Sequence, residues 1–193
     1  MSDFEFVFSL FGLMLGFSLA EVLNGLIRTV KARRQVRIGW LTPMLAIFVM
    51  LDLTSFWANA WSSRAAIPAS YGFLVIGLIA TGLYYFCASL LFPDRPEECA
   101  DLDEHYYLRR RQVLAGVAIV NGMIIAGMVR IGSPEATNEE AILVHSIYFT
   151  MIALAALPRR RWLNLVALTL LILLYVMFAV ATLVGAVPPP AGG

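Results

Sequence analysis

Six long apolar runs constrain this chain more than anything else in it. They cover residues 6–27, 40–61, 70–92, 112–129, 141–157 and 162–187, and among their 128 positions only Glu21 and Asp52 carry a formal charge. A hydrocarbon layer about 30 Å thick is crossed by about 20 helical residues rising 1.5 Å each. Runs of 22, 22, 23 and 26 residues meet that length outright, whereas the fourth and fifth, with 18 and 17, must borrow flanking residues around Arg130, Glu140 and Arg159. The whole chain is 60% apolar and 14% charged, against about 45–50% and about 25% for a soluble domain. That composition excludes a disordered chain and a disulfide-stapled domain, and no polar block is long enough for a second, soluble domain.

The expectation is an all-α, polytopic integral membrane protein, a single six-helix bundle across residues 1–193. All nine prolines fall at or outside the ends of the runs, Pro43 in a first turn and Pro68, Pro93, Pro96, Pro134, Pro158 and 188–190 beyond them. A proline inside a span would remove a backbone hydrogen bond that hydrocarbon cannot replace. The runs do not alternate and are about twice the length of a barrel strand, which excludes a membrane barrel.

Basic residues set the expected orientation. Arg28, Lys31, Arg33, Arg34 and Arg37 follow run one, Arg95 and Arg109 to Arg111 follow run three, and Arg159 to Arg161 follow run five, whereas the alternate side has only Arg64 and Arg130. The positive-inside rule then places both termini outside and the three basic connections in the cytoplasm, with the protein in the cytoplasmic membrane. The acidic start, Met1-Ser2-Asp3-Phe4-Glu5, lacks a basic n-region and a cleavage site, so run one is expected to stay as a span. Trp40, Trp57, Trp61 and Trp162 all fall at run ends, as an interfacial belt does. Cys87 and Cys99 then face a reducing compartment without CxxC spacing, so no disulfide is expected. The basic side carries twelve Lys and Arg against six acids, which predicts attraction to anionic lipid headgroups. No nucleic-acid partner is implied by a net charge of +1.

Two stripes of small residues, Gly12, Gly16 and Ala20 in run one and Ala118, Gly122 and Ala126 in run four, have the four-residue spacing that lets membrane helices approach closely. Packing within the chain is the favoured use, with a homo-oligomer or a partner membrane protein as the other. The two halves show no residue-level inverted repeat and no paired Gly/Pro interruptions of the kind that mark broken transporter helices.

The intramembrane carboxylates are the sharpest chemical signal. Asp52 lies twelve residues past Trp40, about 18 Å along its helix and near the bilayer middle. An ionised Asp there costs about 2.5–3.5 kcal/mol, so it must be protonated, paired or wetted. Ser55 and Asn59 follow at helical spacing, and Asp52, Ser55 and Asn59 form one polar stripe. Glu21 shares a sector of run one with Asn24 and Arg28, about 10 Å from the span end. Asn121, Tyr84 and Tyr85 lie at comparable depths, about 10–14 Å. A polar layer drawn from runs one to four is therefore expected, with Asp52 held by Asn121 and by Tyr84 or Tyr85. Glu21 has a plainer use as the partner of Asn24 and Arg28.

The connection 93–111 has its acids first and its arginines last, which suits a short helix from Glu97 onward that lies at the interface and leads into run four. Asp101, Glu104 and His105 lack a further ligand for a closed metal site. No HExxH, GxSxG, Walker or dinucleotide glycine pattern occurs, so neither metal nor cofactor is expected and enzyme chemistry is disfavoured. The first expectation is a small ion- or proton-linked channel or transporter that uses Asp52 and Glu21; the alternative is a non-catalytic membrane subunit or scaffold whose polar layer only fixes helix packing. A membrane enzyme acting on lipid is a third, without a nucleophile to support it. Water reaching Asp52 would favour transport, and a dry packed layer the subunit.

Overall fold

The computed structural model describes residues 3–64, 70–130 and 132–185. Among them are α1 (Asp3–Lys31), α2 (Leu41–Ser62), α3 (Tyr71–Leu90), α4 (Leu102–Arg130), the short α5 (Pro134–Thr137), α6 (Glu139–Ala156) and α7 (Arg161–Leu183), with a 3-10 turn at Pro96–Glu98. The six longer helices each have the length and apolarity to cross a membrane, which is compatible with a multi-pass membrane protein. No strand forms among the described residues, where one isolated bridge joins Arg37 to Asp101. Pro43 sits in the first turn of α2 and Pro134 opens α5, while Pro68 and prolines 188–190 lie outside the described residues.

Two of the helix starts carry a side-chain cap that the sequence supplies directly. Ser70 caps α3 by accepting from the Phe73 N–H at 3.3 Å, and Asn138 caps α6 by accepting from Ala141 at 2.7 Å. Glu139 and Glu140 follow in the first turn of α6, where the helix dipole favours negative charge. Thus α6 takes in two residues beyond its apolar run to reach 18 residues.

The connection into α4 differs from its sequence expectation. The chain forms only the 3-10 turn after Arg95, is extended at Cys99, and begins its helix at Leu102 rather than Glu97. The cause is Asp101, whose side chain accepts the Asp103 N–H at 2.8 Å as an N-cap does. From there the helix runs unbroken for 29 residues, so the connecting helix and the fourth span are one element. Tyr106 is buried in the bundle, whereas Leu108 on the same turn is exposed.

This added length of α4 organises one end of the molecule. The Leu41 N–H at the start of α2 donates to Asp103 Oδ1 at 3.1 Å, and Thr42 Oγ1 donates to the Leu102 carbonyl at 2.7 Å. Asp103 Oδ2 also pairs with Arg161, the first residue of α7, at 3.1 Å. Groups from the first turns of α2, α4 and α7 thus meet at one carboxylate, whose charge suits the N-terminal ends of α2 and α4. Gly39 is required there, because a Cβ on it would overlap the Asp103 carboxylate. His105 Nε2 lies 3.0 Å from the Leu90 carbonyl at the far end of α3, and a short backbone pairing joins Arg37 to Ala100 and Leu102. The three arginine-bearing connections are therefore at the same end.

Helices α2, α4, α6 and α7 pack around a shared interior, α3 lies against α4, and α1 packs mainly on α3. Close approaches do not follow the two small-residue stripes. Gly77 of α3 takes the Phe11 ring of α1, and Gly116 of α4 takes the Cys87 thiol of α3. Within the stripes Gly12 meets the Trp57 ring, but a Cβ on Gly16 or Gly122 would meet nothing within 4 Å, and Ala20 and Ala126 are exposed. The expected intrachain use of these stripes therefore holds at Gly12 and fails at Gly16 and Gly122, because α1 and α4 meet their neighbours along other faces.

If the Asp103 contact holds the helix starts together, Gly39→Ala must push the carboxylate away from Leu41 and Arg161. Expected losses are about 1–3 kcal/mol for Gly39→Ala and for Asp103→Ala, with the double variant no worse than the poorer single one. Unfolding in mixed detergent micelles measures this, and additive losses would show that the two residues act separately.

Candidate functional site

Asp52 sits where five helices meet, and the sequence of each helix explains how its partner arrives. On α2, Phe48, Asp52 and Phe56 share one face at four-residue spacing. Phe48 is fully buried below the carboxylate, with ring centroids 6.3 Å from Tyr148 and 6.1 Å from Tyr175. Phe56 stands edge-on to Tyr84 at 5.6 Å. On α3 the face of Gly77, Thr81, Tyr84 and Ala88 is buried, and on α6 that of Tyr148, Ile152 and Ala155. The buried face of α7 runs through Asn164, Leu168 and Leu171, and Tyr175 continues it one turn on.

The carboxylate has no exposed surface. Its Oδ1 accepts from the hydroxyls of Tyr175 at 2.5 Å and Tyr148 at 2.9 Å, and from Asn121 Nδ2 at 3.0 Å. Its Oδ2 accepts from the Tyr84 hydroxyl at 2.7 Å, and Asn121 Nδ2 is 3.2 Å away. Asn121 is fixed in turn by donating to the Val117 carbonyl at 3.0 Å. A carboxylate has about four lone-pair sites, and four donor groups fill them here without a cation. The hydroxyls are also acceptors, so a protonated Asp52 could donate to one of them after a rotation that moves no heavy atom.

The residues named from sequence do not all come together. Asp52, Asn121 and Tyr84 come together in the cage. Ser55 donates to the Asp52 backbone carbonyl at 2.8 Å, and Asn59 lies further along α2, where its carbonyl accepts from Ser62 at 3.0 Å. Glu21, Asn24 and Tyr85 are elsewhere: with Met14, Phe17 and Ala20 they line a shallow groove on the outer side of α1 and α3, about 370 Å³ in volume. Glu21 accepts from Arg28 at 3.3 Å, and both side chains are partly exposed.

The cage therefore draws on α2, α3, α4, α6 and α7, and α1 supplies none of its hydrogen bonds. Tyr148 and Tyr175 are the donors that sequence reasoning missed. A usable signal existed, since Tyr175 lies thirteen residues past Trp162, about 20 Å along α7 and close to the depth of Asp52.

Arg110 was missed as well, counted from sequence only as a topological charge. It is 1% exposed and points at the end of α6, donating to the carbonyls of Pro158 at 2.6 Å, Ala155 at 3.2 Å and Leu157 at 3.3 Å. A cation that satisfies the free carbonyls at a helix C-terminus is stabilised by the dipole as well as by the bonds. The Tyr107 ring lies 4.8 Å from the guanidinium. The Tyr106 hydroxyl donates to Ala155 at 3.1 Å, and Asn164 Nδ2 bridges Tyr106 and Ala155 at 3.0 and 2.9 Å. The i, i+4 spacing of Tyr106 and Arg110 put both on one face, but nothing in the sequence marked that face as internal.

Among the described residues no group of three or more His, Cys, Asp or Glu side chains is placed to hold a metal. Comparison of the chain with protein-family models, with curated proteins and with solved structures finds no match.

Replacing Asp52 by Ala would leave three hydroxyls and an amide without their acceptor. An unmet buried donor costs about 1–3 kcal/mol, and the hydroxyls can re-pair in part, so a loss of about 2–4 kcal/mol is expected. Tyr148→Phe and Tyr175→Phe remove one donor each and should cost about 1 kcal/mol. Tyr85→Phe is the control and should change nothing; unfolding in mixed micelles reads all four.

Proposed function

We propose that this chain is a multi-pass protein of the cytoplasmic membrane that acts as a non-catalytic membrane subunit, with the Asp52 cage as its packing centre. The observation that carries the reading is the fully buried carboxylate, its acceptor sites taken by four side chains from four other helices. A group that binds a transported ion or exchanges protons must meet water or the ion, and Asp52 touches neither solvent nor the groove beside Glu21. The arrangement suits fixed geometry rather than turnover. A homo-oligomer or another membrane protein would complete the subunit, and α1, at the edge of the bundle, offers Gly16, Ala20, Glu21 and Asn24 to it.

Proton-linked transport is the second reading, favoured by the ability of the tyrosine hydroxyls to serve either protonation state of Asp52. Asp52→Asn separates the two. Its carbonyl keeps the acceptor for Tyr148 and Tyr175, while its amide faces Tyr84, which can turn to accept. Under the subunit reading, vesicles containing the wild-type protein show no pH-driven flux above protein-free vesicles, and the variant still folds and inserts. Flux in the wild type that Asp52→Asn abolishes would replace that reading with transport.

The orientation rests on the arginine distribution, with twelve of the fourteen basic residues at the end where Asp103 joins α2, α4 and α7. This end is assigned to the cytoplasm and both termini to the opposite side. Reporter fusions after Arg37, Arg111 and Arg161 should show cytoplasmic activity, and fusions after Ser63 and Thr137 should not. The reverse pattern would invert the protein in the membrane.

A further inference from the structure

Charges at the basic end are unevenly neutralised. Arg37 pairs with Asp101 at 3.8 Å and Arg161 with Asp103 at 3.1 Å, while Arg110 is turned inward to the end of α6. That inward turn brings Arg110 of α4 against the connection 157–160, with Arg111 next to it on the helix. Arg111, Arg159 and Arg160 are exposed there and form no ion pair among the described residues; Arg109 reaches only Gln112, at 3.2 Å. Large apolar side chains flank Arg159 and Arg160 along this connection: Leu157 is 62% exposed and Trp162 60%.

An occupant of this corner must present oxyanions to the guanidinium groups and hydrocarbon to Leu157 and the indole at the same time. Guanidinium forks match phosphate oxygens in a bidentate way that lysine does not, and all four of these cations are arginines. Tryptophan at such a position sits at headgroup level in a bilayer. An acidic protein segment supplies the charge but leaves the apolar side chains in contact with water, and free phosphate supplies no hydrocarbon. We propose that the corner made by Arg111 and residues 157–162 is a binding site for an anionic phospholipid, with Arg111, Arg159 and Arg160 on the phosphate and Leu157 and Trp162 against the glycerol and upper acyl chains. This assignment is independent of what the Asp52 cage does.

Native mass spectrometry of the protein in neutral detergent, titrated with phosphatidylglycerol or phosphatidylcholine, tests it. The wild type should retain phosphatidylglycerol in preference to phosphatidylcholine. Each arginine replaced in Arg111→Gln, Arg159→Gln and Arg160→Gln should weaken retention about fivefold, the equivalent of about 1 kcal/mol per basic residue. Arg33→Gln with Arg34→Gln, on a different connection, should leave it unchanged. Circular dichroism confirms that the variants are folded, and all the substituted side chains are exposed. Equal retention of the two lipids, undiminished retention in the triple variant, or an equal loss in the Arg33/Arg34 pair would overturn the proposal. Full displacement by inorganic phosphate, or by an acidic peptide, would overturn the lipid assignment in favour of that ligand.

Discussion

A carboxylate without a counter-ion, enclosed in an apolar bundle, is the constraint on which the interior depends. Apolar burial gives a membrane helix no reason to choose a neighbouring helix over an acyl chain. A hydrogen bond to Asp52 does, because each donor reaches it only at one depth and one rotation. Tyr84, Asn121, Tyr148 and Tyr175 therefore fix the axial position and facing of α3, α4, α6 and α7 against α2. The rings add what hydroxyls alone cannot, since Phe48 and Phe56 close the site along α2 and exclude solvent from it. A dry site strengthens each bond and penalises each omission, so the cage selects one arrangement of five helices.

The basic end uses charge in the complementary way. There the unsatisfied groups are helix termini, and side chains from α4 meet them: Asp103 at the N–H end of α2 and Arg110 at the carbonyl end of α6. Each ion sits at the terminus whose partial charge opposes it. Both come from the first three turns of α4, and that is why its start at Leu102 matters. A helix begun at Glu97 would have no Asp101 cap and would carry these two side chains on a differently placed axis.

The span architecture was legible in sequence because it rests on a local quantity, the uninterrupted length of apolar chain. Depth was legible as well: it set Asn121, Tyr84 and Tyr85 level with Asp52, and of these Asn121 and Tyr84 bond it. Rotation about the helix axis was not. Apolar residues surround every span, so no hydrophobic stripe told an inward tyrosine from an outward one; Tyr84 entered the cage while Tyr85 faced the groove. The same limit hid Tyr148 and Tyr175. It also misdirected the reading of Gly16 and Gly122, since small residues show where a close approach is permitted and not where one occurs. Arg110 was missed for a different reason: a basic residue at a span end has topology as its default explanation, and its burial depends on the end of α6, 45 residues away in sequence.

The two carboxylates within the apolar runs show how distance from the run ends decides the means of satisfying a charge. Glu21 is seven residues from Arg28, two helical turns, and the long arginine side chain covers that distance to pair with it at 3.3 Å while its own stem stays near the span end. Asp52 is fifteen residues from Arg37 and twelve from Arg64, about 22 and 18 Å along the chain, which no arginine side chain can bridge. A cation placed closer would itself have to be desolvated, at a cost of several kcal/mol for each ion. Neutral donors avoid that second penalty, provided that enough of them converge, and a phenol delivers its hydroxyl about 6.5 Å from the backbone on an apolar ring that packs among aliphatic side chains. Three tyrosines and an asparagine around Asp52, against a single arginine beside Glu21, follow from the same electrostatics at two different depths.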